Sequence, residues 1–104
     1  MLLGCCRVLL GSTPPQNQLA ASTARWKIVM LHQSPFSSGD HGSFPRLQWP
    51  FQAWGADAVL SGHDHGYERI LKNVSFPYFV NGIGGASLYA FGTRVAGMCL
   101  LDDF

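Results

Sequence analysis

Histidine is the residue type in this chain best suited to bind a metal ion, and all four histidines lie between positions 32 and 65. His63 and His65 belong to the sequence Gly62-His63-Asp64-His65, which directly follows an apolar run. Side chains two residues apart in an extended segment point to the same side, so His63 and His65 are expected to face one site while Asp64 turns away. Because imidazole is the commonest metal ligand near neutral pH, this spacing predicts a metal site.

The elements around these histidines are predicted to form a parallel βαβ unit. Residues 26–32 and 56–61 have the apolar composition of buried strands. Between them, residues 34–43 have the composition of a loop, and residues 46–54 are expected to form a short amphipathic helix limited by Pro50. Residues 16–24 contain helix formers and are expected to end a helix.

Two lines of reasoning predict the same location for the site. Strands joined by such a crossover are parallel, and ligands of parallel sheets gather at the carboxyl ends of the strands. His32 ends the first predicted strand, and the turn at 62–65 follows the second. The imidazoles of both segments should therefore meet at one edge of the sheet.

The remainder of the chain is predicted to be mostly antiparallel. Residues 67–71, 78–81 and 93–101 read as short strands separated by glycine, asparagine and proline. They need no crossover helices, so we interpret them as a meander that forms a second sheet. The sequence as a whole predicts an α/β fold.

The composition excludes several classes of function. The chain has 104 residues, a net charge of +1 and only 12% charged residues, and its basic residues form no stripe. Nucleic-acid binding and membrane-surface binding therefore have no electrostatic support. The first ten residues are apolar but lack a basic start, which makes them a poor signal peptide, and the three cysteines follow no disulfide or zinc pattern.

Several motifs resemble those of calcineurin-like metallophosphoesterases, in particular purple acid phosphatases and their bacterial homologues. Residues 26–32, followed by Pro-Phe-Ser-Ser at 35–38 and His-Gly at 41–42, are similar to the family's Val-x-x-His block. Residues 62–69, Gly-His-Asp-His-Gly-Tyr-Glu-Arg, resemble its Gly-His-x-His block, and residues 79–85 resemble the strand that follows it. These ordered motifs at family-like spacing are far more specific than one motif alone.

The resemblance implies a fold, a cofactor and a reaction. The family fold is a two-sheet β-sandwich flanked by helices, with two metal ions (Fe, Zn or Mn) at the strand ends. By resemblance, His32 and His63 bind one ion, His65 binds the other, and His41 is the catalytic-loop histidine that contacts the substrate phosphate. The implied activity is metal-assisted hydrolysis of a phosphoester substrate, and an extracytoplasmic location is compatible with it.

The family's other motifs, which supply a bridging carboxylate, an asparagine ligand and a catalytic histidine, do not occur, and residues 1–24 contain no Asp, Glu or His. We therefore expect the carboxyl-terminal half of a catalytic domain, with residues 1–15 unmatched and residues 16–104 a partial domain. Such a chain would bind one ion or none by itself. The alternatives are a non-catalytic metal- or phosphate-binding half-domain that needs a partner or an upstream extension, and a metal-free structural remnant.

Overall fold

The computed structural model describes residues 7–8 and 13–99. These residues form six strands, one α-helix and one 3-10 helix. In chain order they are β1 (Arg7–Val8), α1 (Gln16–Ala21), β2 (Ile28–Leu31), the 3-10 helix (Pro45–Leu47), β3 (Ala58–Ser61), β4 (Tyr67–Lys72), β5 (Phe76–Asn81) and β6 (Met98–Cys99). The predicted mixed α/β class is confirmed, with few helices. Among the described residues, no helix has the length and apolarity needed to cross a membrane.

The parallel pairing of the two strands that flank the loop is confirmed. Ile28 pairs with Ala58 and Leu31 with Ser61, so β2 and β3 run side by side and end at the same edge. β1 is parallel to β2 on the other side. The buried residues of β2 alternate, whereas β3 is buried along most of its length, as expected for an inner strand.

The prediction that the later strands form a second sheet is wrong for the described residues. They join the same six-stranded sheet, whose order is β1-β2-β3-β5-β4-β6. β5 pairs in parallel with β3, and β4 folds back as the antiparallel outer neighbour of β5, with β6 antiparallel beyond it. The physical reason is that one edge of β3 would otherwise have unpaired backbone hydrogen-bonding groups. Pairing of β5 with this edge leaves no open strand edge in the middle of the sheet.

The bounds of most predicted strands shift by one or two residues, and three other predicted elements differ more. The crossover at 46–54 is a 3-10 helix followed by turns, because Pro50 has no N–H to continue a helix and disfavours a helical conformation before it. Helix α1 ends at Ala21, before the predicted end at 24. Of the predicted strand 93–101, only Met98–Cys99 is a strand, and residues 100–101 lie outside the described residues.

The hydrophobic core connects the strands with the crossover. Phe51, Val59 and Ile70 are fully buried and come from the crossover, β3 and β4, respectively. Tyr78 of β5 packs edge-to-face against Phe36 of the loop, with the ring centroids 4.9 Å apart. The sheet and the loops at its carboxyl edge therefore form one packed unit, which positions the histidines.

Candidate metal centre

The structure brings His32 and His63 together at the carboxyl edge of the sheet. His32 directly follows β2, and His63 lies in the turn after β3. The Gly62 N–H donates to the His32 carbonyl at 3.1 Å, which ties the two strand ends together. As a result His63 Nδ1 lies 3.1 Å from His32 Nε2, and the two rings meet edge-on.

His41 reaches the same place from the loop between β2 and the 3-10 helix. Its ring lies against the His63 ring, with the centroids 4.0 Å apart and the planes tilted by 31°. Its side chain is exposed, whereas His63 is half-buried between its neighbours. Three of the four histidines therefore form one cluster that opens to solvent.

The turn that carries His63 and His65 is not extended. His63 has a φ of +69°, in the left-handed region that non-glycine residues rarely adopt. Asp64 N–H donates to the Gly62 carbonyl at 2.9 Å, which closes the turn. The expectation of an extended backbone at residues 63–65 is therefore wrong, and the role of His65 as a ligand stays a prediction.

The His65 ring contacts the segment that follows β5. Its Nδ1 lies 3.0 Å from the Ser87 carbonyl oxygen, and its ring centroid is 5.0 Å from that of Tyr89. A carbonyl only accepts hydrogen bonds, so Nδ1 carries the proton in this contact. The Nε2 atom of His65 is then the one with a free lone pair when the ring is neutral.

Asp64 is buried behind the histidines and is 3% exposed. Its carboxylate accepts hydrogen bonds from the Ser37 hydroxyl, from the His41 backbone N–H at 2.8 Å and from the Tyr89 hydroxyl at 2.9 Å. Burial alone would raise the pKa of the Asp64 carboxyl, but these three hydrogen bonds outweigh it and hold the pKa below its ordinary value. A Cβ on Gly39 would overlap this carboxylate, so only glycine fits beside it.

A second buried carboxylate anchors the same loop. Glu68 of β4 is 2% exposed, and its Oε1 accepts the backbone N–H of Ser38 at 2.6 Å. The Ser38 carbonyl in turn accepts the N–H of Gly92 at 2.8 Å. Asp64 and Glu68 together fix the loop that carries His41 over the sheet edge.

The pKa of His63 is lowered, first by burial and then by the neighbouring imidazoles of His41 and His32. A lowered pKa keeps the ring neutral, which is the form that binds metal ions. Two nitrogen ligands of one tetrahedral ion, each at ~2.0–2.1 Å, lie roughly 3.3 Å apart. The 3.1 Å between His32 Nε2 and His63 Nδ1 fits such a pair.

The described residues do not complete a metal site by themselves. Within residues 7–8 and 13–99, no group of three or more His, Cys, Asp or Glu side chains is arranged to hold an ion. His41 faces the ring of His63, Asp64 is engaged by three donors, and His65 contacts Ser87. The geometry therefore places two imidazole nitrogens, of His32 and His63, at the spacing expected for two ligands of one ion.

The comparisons with known proteins identify the family. The family model for calcineurin-like phosphoesterase matches residues 9–67, more than half of the chain, and this range includes all four histidines. The chain belongs to the calcineurin-like phosphoesterase family. The resemblance seen in the motifs is thus confirmed, and it covers part of the domain.

Two relatives show the extent of the match. Purple acid phosphatase 3 of Arabidopsis thaliana is 35% identical over 78 residues, which cover 71% of this chain and 21% of that protein. The fold is similar to that of GAP50, described as the anchor in the inner membrane complex of Plasmodium, with a TM-score of 0.69 and 24% identity over 80% of this chain and 27% of that one. The chain thus spans about a fifth to a quarter of the length of these proteins.

The sequence did not indicate the residues that hold the histidines in place. Ser37 lies in the Pro-Phe-Ser-Ser block, but nothing in its spacing points to Asp64. Ser87 and Tyr89 lie more than 20 residues after the histidine motif, beyond the part that the family model matches. Only the pairing of β5 between β3 and β4 brings this later segment back to the site.

Proposed function

We propose that this chain is part of a metal-dependent phosphoester hydrolase of the acid phosphatase type. The observation that carries the proposal is the 3.1 Å separation of His32 Nε2 and His63 Nδ1 at the carboxyl ends of two parallel strands. In this proposal His32 and His63 bind one ion (Fe, Zn or Mn), and His65 binds the second ion of a complete site through Nε2. Membership of the phosphoesterase family supports this chemistry.

A bound ion would supply Lewis-acid polarisation of a phosphoryl oxygen and would activate a water molecule. The residues of this chain then have separate roles. His41 is exposed beside His63, where it can contact a phosphate oxygen and donate a proton to the leaving alkoxide. Asp64 accepts the backbone N–H of His41, so this hydrogen bond helps the loop to keep the His41 imidazole at the site.

The small number of ligands in the 104-residue chain limits the activity that we expect of it. Two ions a few ångströms apart repel strongly unless a carboxylate lies between them. Among the described residues, Asp64 and Glu68 are the buried carboxylates near the site. Asp64 accepts from two hydroxyls and a backbone N–H, and Glu68 accepts the backbone N–H of Ser38, so neither is shown between two ions. We therefore propose that the chain takes up at most one ion by itself and hydrolyses phosphoesters feebly, with the other ligands provided by further sequence or by a partner.

The alternative function is a metal- or phosphate-binding half-domain without catalysis. The incomplete ligand group within the described residues is the observation that favours it. This alternative predicts metal uptake that no added sequence converts into hydrolysis. The two functions therefore differ in what happens when the chain is extended.

Zinc uptake tests the ligand assignment. Titration of the metal-free chain with Zn²⁺ in a calorimeter should give binding that His63→Ala weakens by about 100-fold or more, since even the outer partners of a ligand are worth ~10–100-fold. His65→Ala is the matched control and should leave this uptake of one ion nearly unchanged, because His65 is proposed to bind only the second ion of a complete site and its Nδ1 contacts Ser87. Equal affinities of His63→Ala and the parent chain would refute the assignment of His63.

Hydrolysis of para-nitrophenyl phosphate, with metals supplied, tests the reaction. We expect little or no turnover by the 104-residue chain and activity in a longer chain that includes upstream sequence, abolished there by His63→Ala. Turnover near ~10 per second by the 104-residue chain would show that it already holds a complete site. A longer chain that binds metal and stays inactive would favour the half-domain.

A further inference from the structure

Tyr89 reaches the histidine cluster from a segment to which the family match assigns no role. The match ends at residue 67, and Tyr89 lies in the irregular stretch after β5. Its backbone N–H donates to the His65 carbonyl at 3.2 Å. The segment is therefore attached directly to the histidine turn.

The hydroxyl of Tyr89 acts on His41 through Asp64. It donates to Asp64 Oδ1 at 2.9 Å, and the same oxygen accepts the backbone N–H of His41 at 2.8 Å. A carboxylate held by one donor can rotate, whereas donors on both oxygens fix its plane. The hydroxyls of Tyr89 and Ser37 therefore help to hold the acceptor that positions His41.

The ring of Tyr89 acts on His65. The two rings lie 5.0 Å apart with their planes tilted by 34°, so the tyrosine covers one side of the imidazole. Two residues earlier, the Ser87 carbonyl accepts the Nδ1 proton of His65. The segment therefore sets both the orientation of His65 and the nitrogen that carries its proton.

A role in the hydrophobic core does not explain these contacts. Tyr89 is half-buried, and its neighbour Leu88 is 66% exposed. The aromatic neighbours of Tyr89 are His41 and His65. By contrast, Tyr78 lies among phenylalanines in the core, away from the histidines.

We propose that Tyr89 is a positioning residue of the candidate site, which holds His41 through Asp64 and fixes the orientation and tautomer of His65 through its ring and the Ser87 carbonyl. The relevance of this role to phosphoester hydrolysis rests on the proposed function. The geometric part does not, since it concerns the imidazoles of the metal-free chain.

Nitrogen-15 NMR of the histidine rings and backbone amides, recorded without metal, tests the positioning role. Tyr89→Phe retains the ring and should shift the His41 amide signal while the His65 ring signals stay nearly unchanged. Tyr89→Leu removes the ring as well and should move His65 from a protonated Nδ1 to a mixture of tautomers. Tyr78→Phe is the matched control, since it removes a tyrosine hydroxyl from the core, and it should leave all four histidine rings unchanged.

Urea unfolding of the same variants separates positioning from a purely structural role. If Tyr89→Leu lowers the free energy of unfolding while its histidine signals match those of the parent chain, the residue is structural and the inference is wrong. Equal shifts in Tyr78→Phe would also overturn it. Zinc uptake by the parent chain is measured separately, so its absence would count against the proposed function and leave the NMR comparison intact.

Discussion

Replacing Asp64 with alanine should destabilise the fold far more than replacing an exposed carboxylate of the same loop. Asp64 is 3% exposed and joins three segments: the loop at 37–41, the turn at 62–66 and the segment around Tyr89. Alanine removes the acceptor from all three donors. The His41 backbone N–H cannot turn away to find another partner as the hydroxyls of Ser37 and Tyr89 can.

The size of the effect follows from these contacts. Hydrogen bonds to a charged group are worth ~1.5–3 kcal/mol each, so three give about 6 kcal/mol before opposing terms. Burial of the carboxylate costs several kcal/mol, which the variant no longer carries. We expect the free energy of unfolding to fall by about 3 kcal/mol, a large part of the ~5–15 kcal/mol typical of a domain.

Urea unfolding followed by the fluorescence of Trp49 and Trp54, which pack near Phe51, measures this difference. Asp40→Ala is the control, because it removes a carboxylate from an exposed position of the same loop and should change the free energy by no more than ~0.5 kcal/mol. If Asp64→Ala and Asp40→Ala had the same effect, the three hydrogen bonds would not stabilise the site, and the reasoning would be refuted.

Three further predictions concern other parts of the fold. Gly82→Ala should lower the free energy of unfolding by ~1–3 kcal/mol, because a Cβ there would overlap the backbone carbonyl of Asp64. The control Gly84→Ala should be nearly neutral, because a Cβ there would meet open space. Equal shifts of the two variants in thermal unfolding would contradict this prediction. Val74→Gly should stabilise the β4–β5 hairpin by about 1 kcal/mol in urea unfolding, because Val74 is exposed and has a φ of +72°, and a loss of stability would show that the turn carries no strain. Burial raises the pKa of Tyr78, so its contribution to stability is present below the unfolded-state pKa and is lost as the pH rises through the folded-state pKa. Between about pH 9 and pH 11, around the ordinary tyrosine pKa of ~10, Tyr78→Phe should therefore lose less stability than the parent chain, and parallel losses would contradict the assignment.

Several features of the fold and the site were predictable from local sequence. The apolar runs at 26–32 and 56–61 predicted two strands, and the crossover between them predicted that these strands are parallel, as β2 and β3 are. Residues at the ends of these two parallel strands then lie at the same edge of the sheet. This is why His32 and His63 could be placed together from the sequence, and the structure brings them within 3.1 Å.

The errors have two kinds of cause, since the positions of the turn and of β5 depend on contacts distant in sequence, whereas the missing crossover helix is a local effect. His63 adopts a left-handed conformation in a closed turn, where the alternation of an extended strand had been expected. Local composition does not determine with which free strand edge β5 pairs, and the structure places β5 between β3 and β4. The crossover lacked its predicted helix because Pro50 outweighed the apolar spacing around it.

The sequence by itself determined the types of candidate ligand, their clustering between positions 32 and 65, and the family to which these motifs belong. The tertiary structure alone decided which atoms face one another. It buried Asp64 under three donors, turned His65 toward Ser87 and returned Tyr89 to a turn that ends more than 20 residues before it. The physical reason is that a ligand's residue type is a local property, whereas its orientation is set by hydrogen bonds and packing from segments that meet only when the sheet has formed.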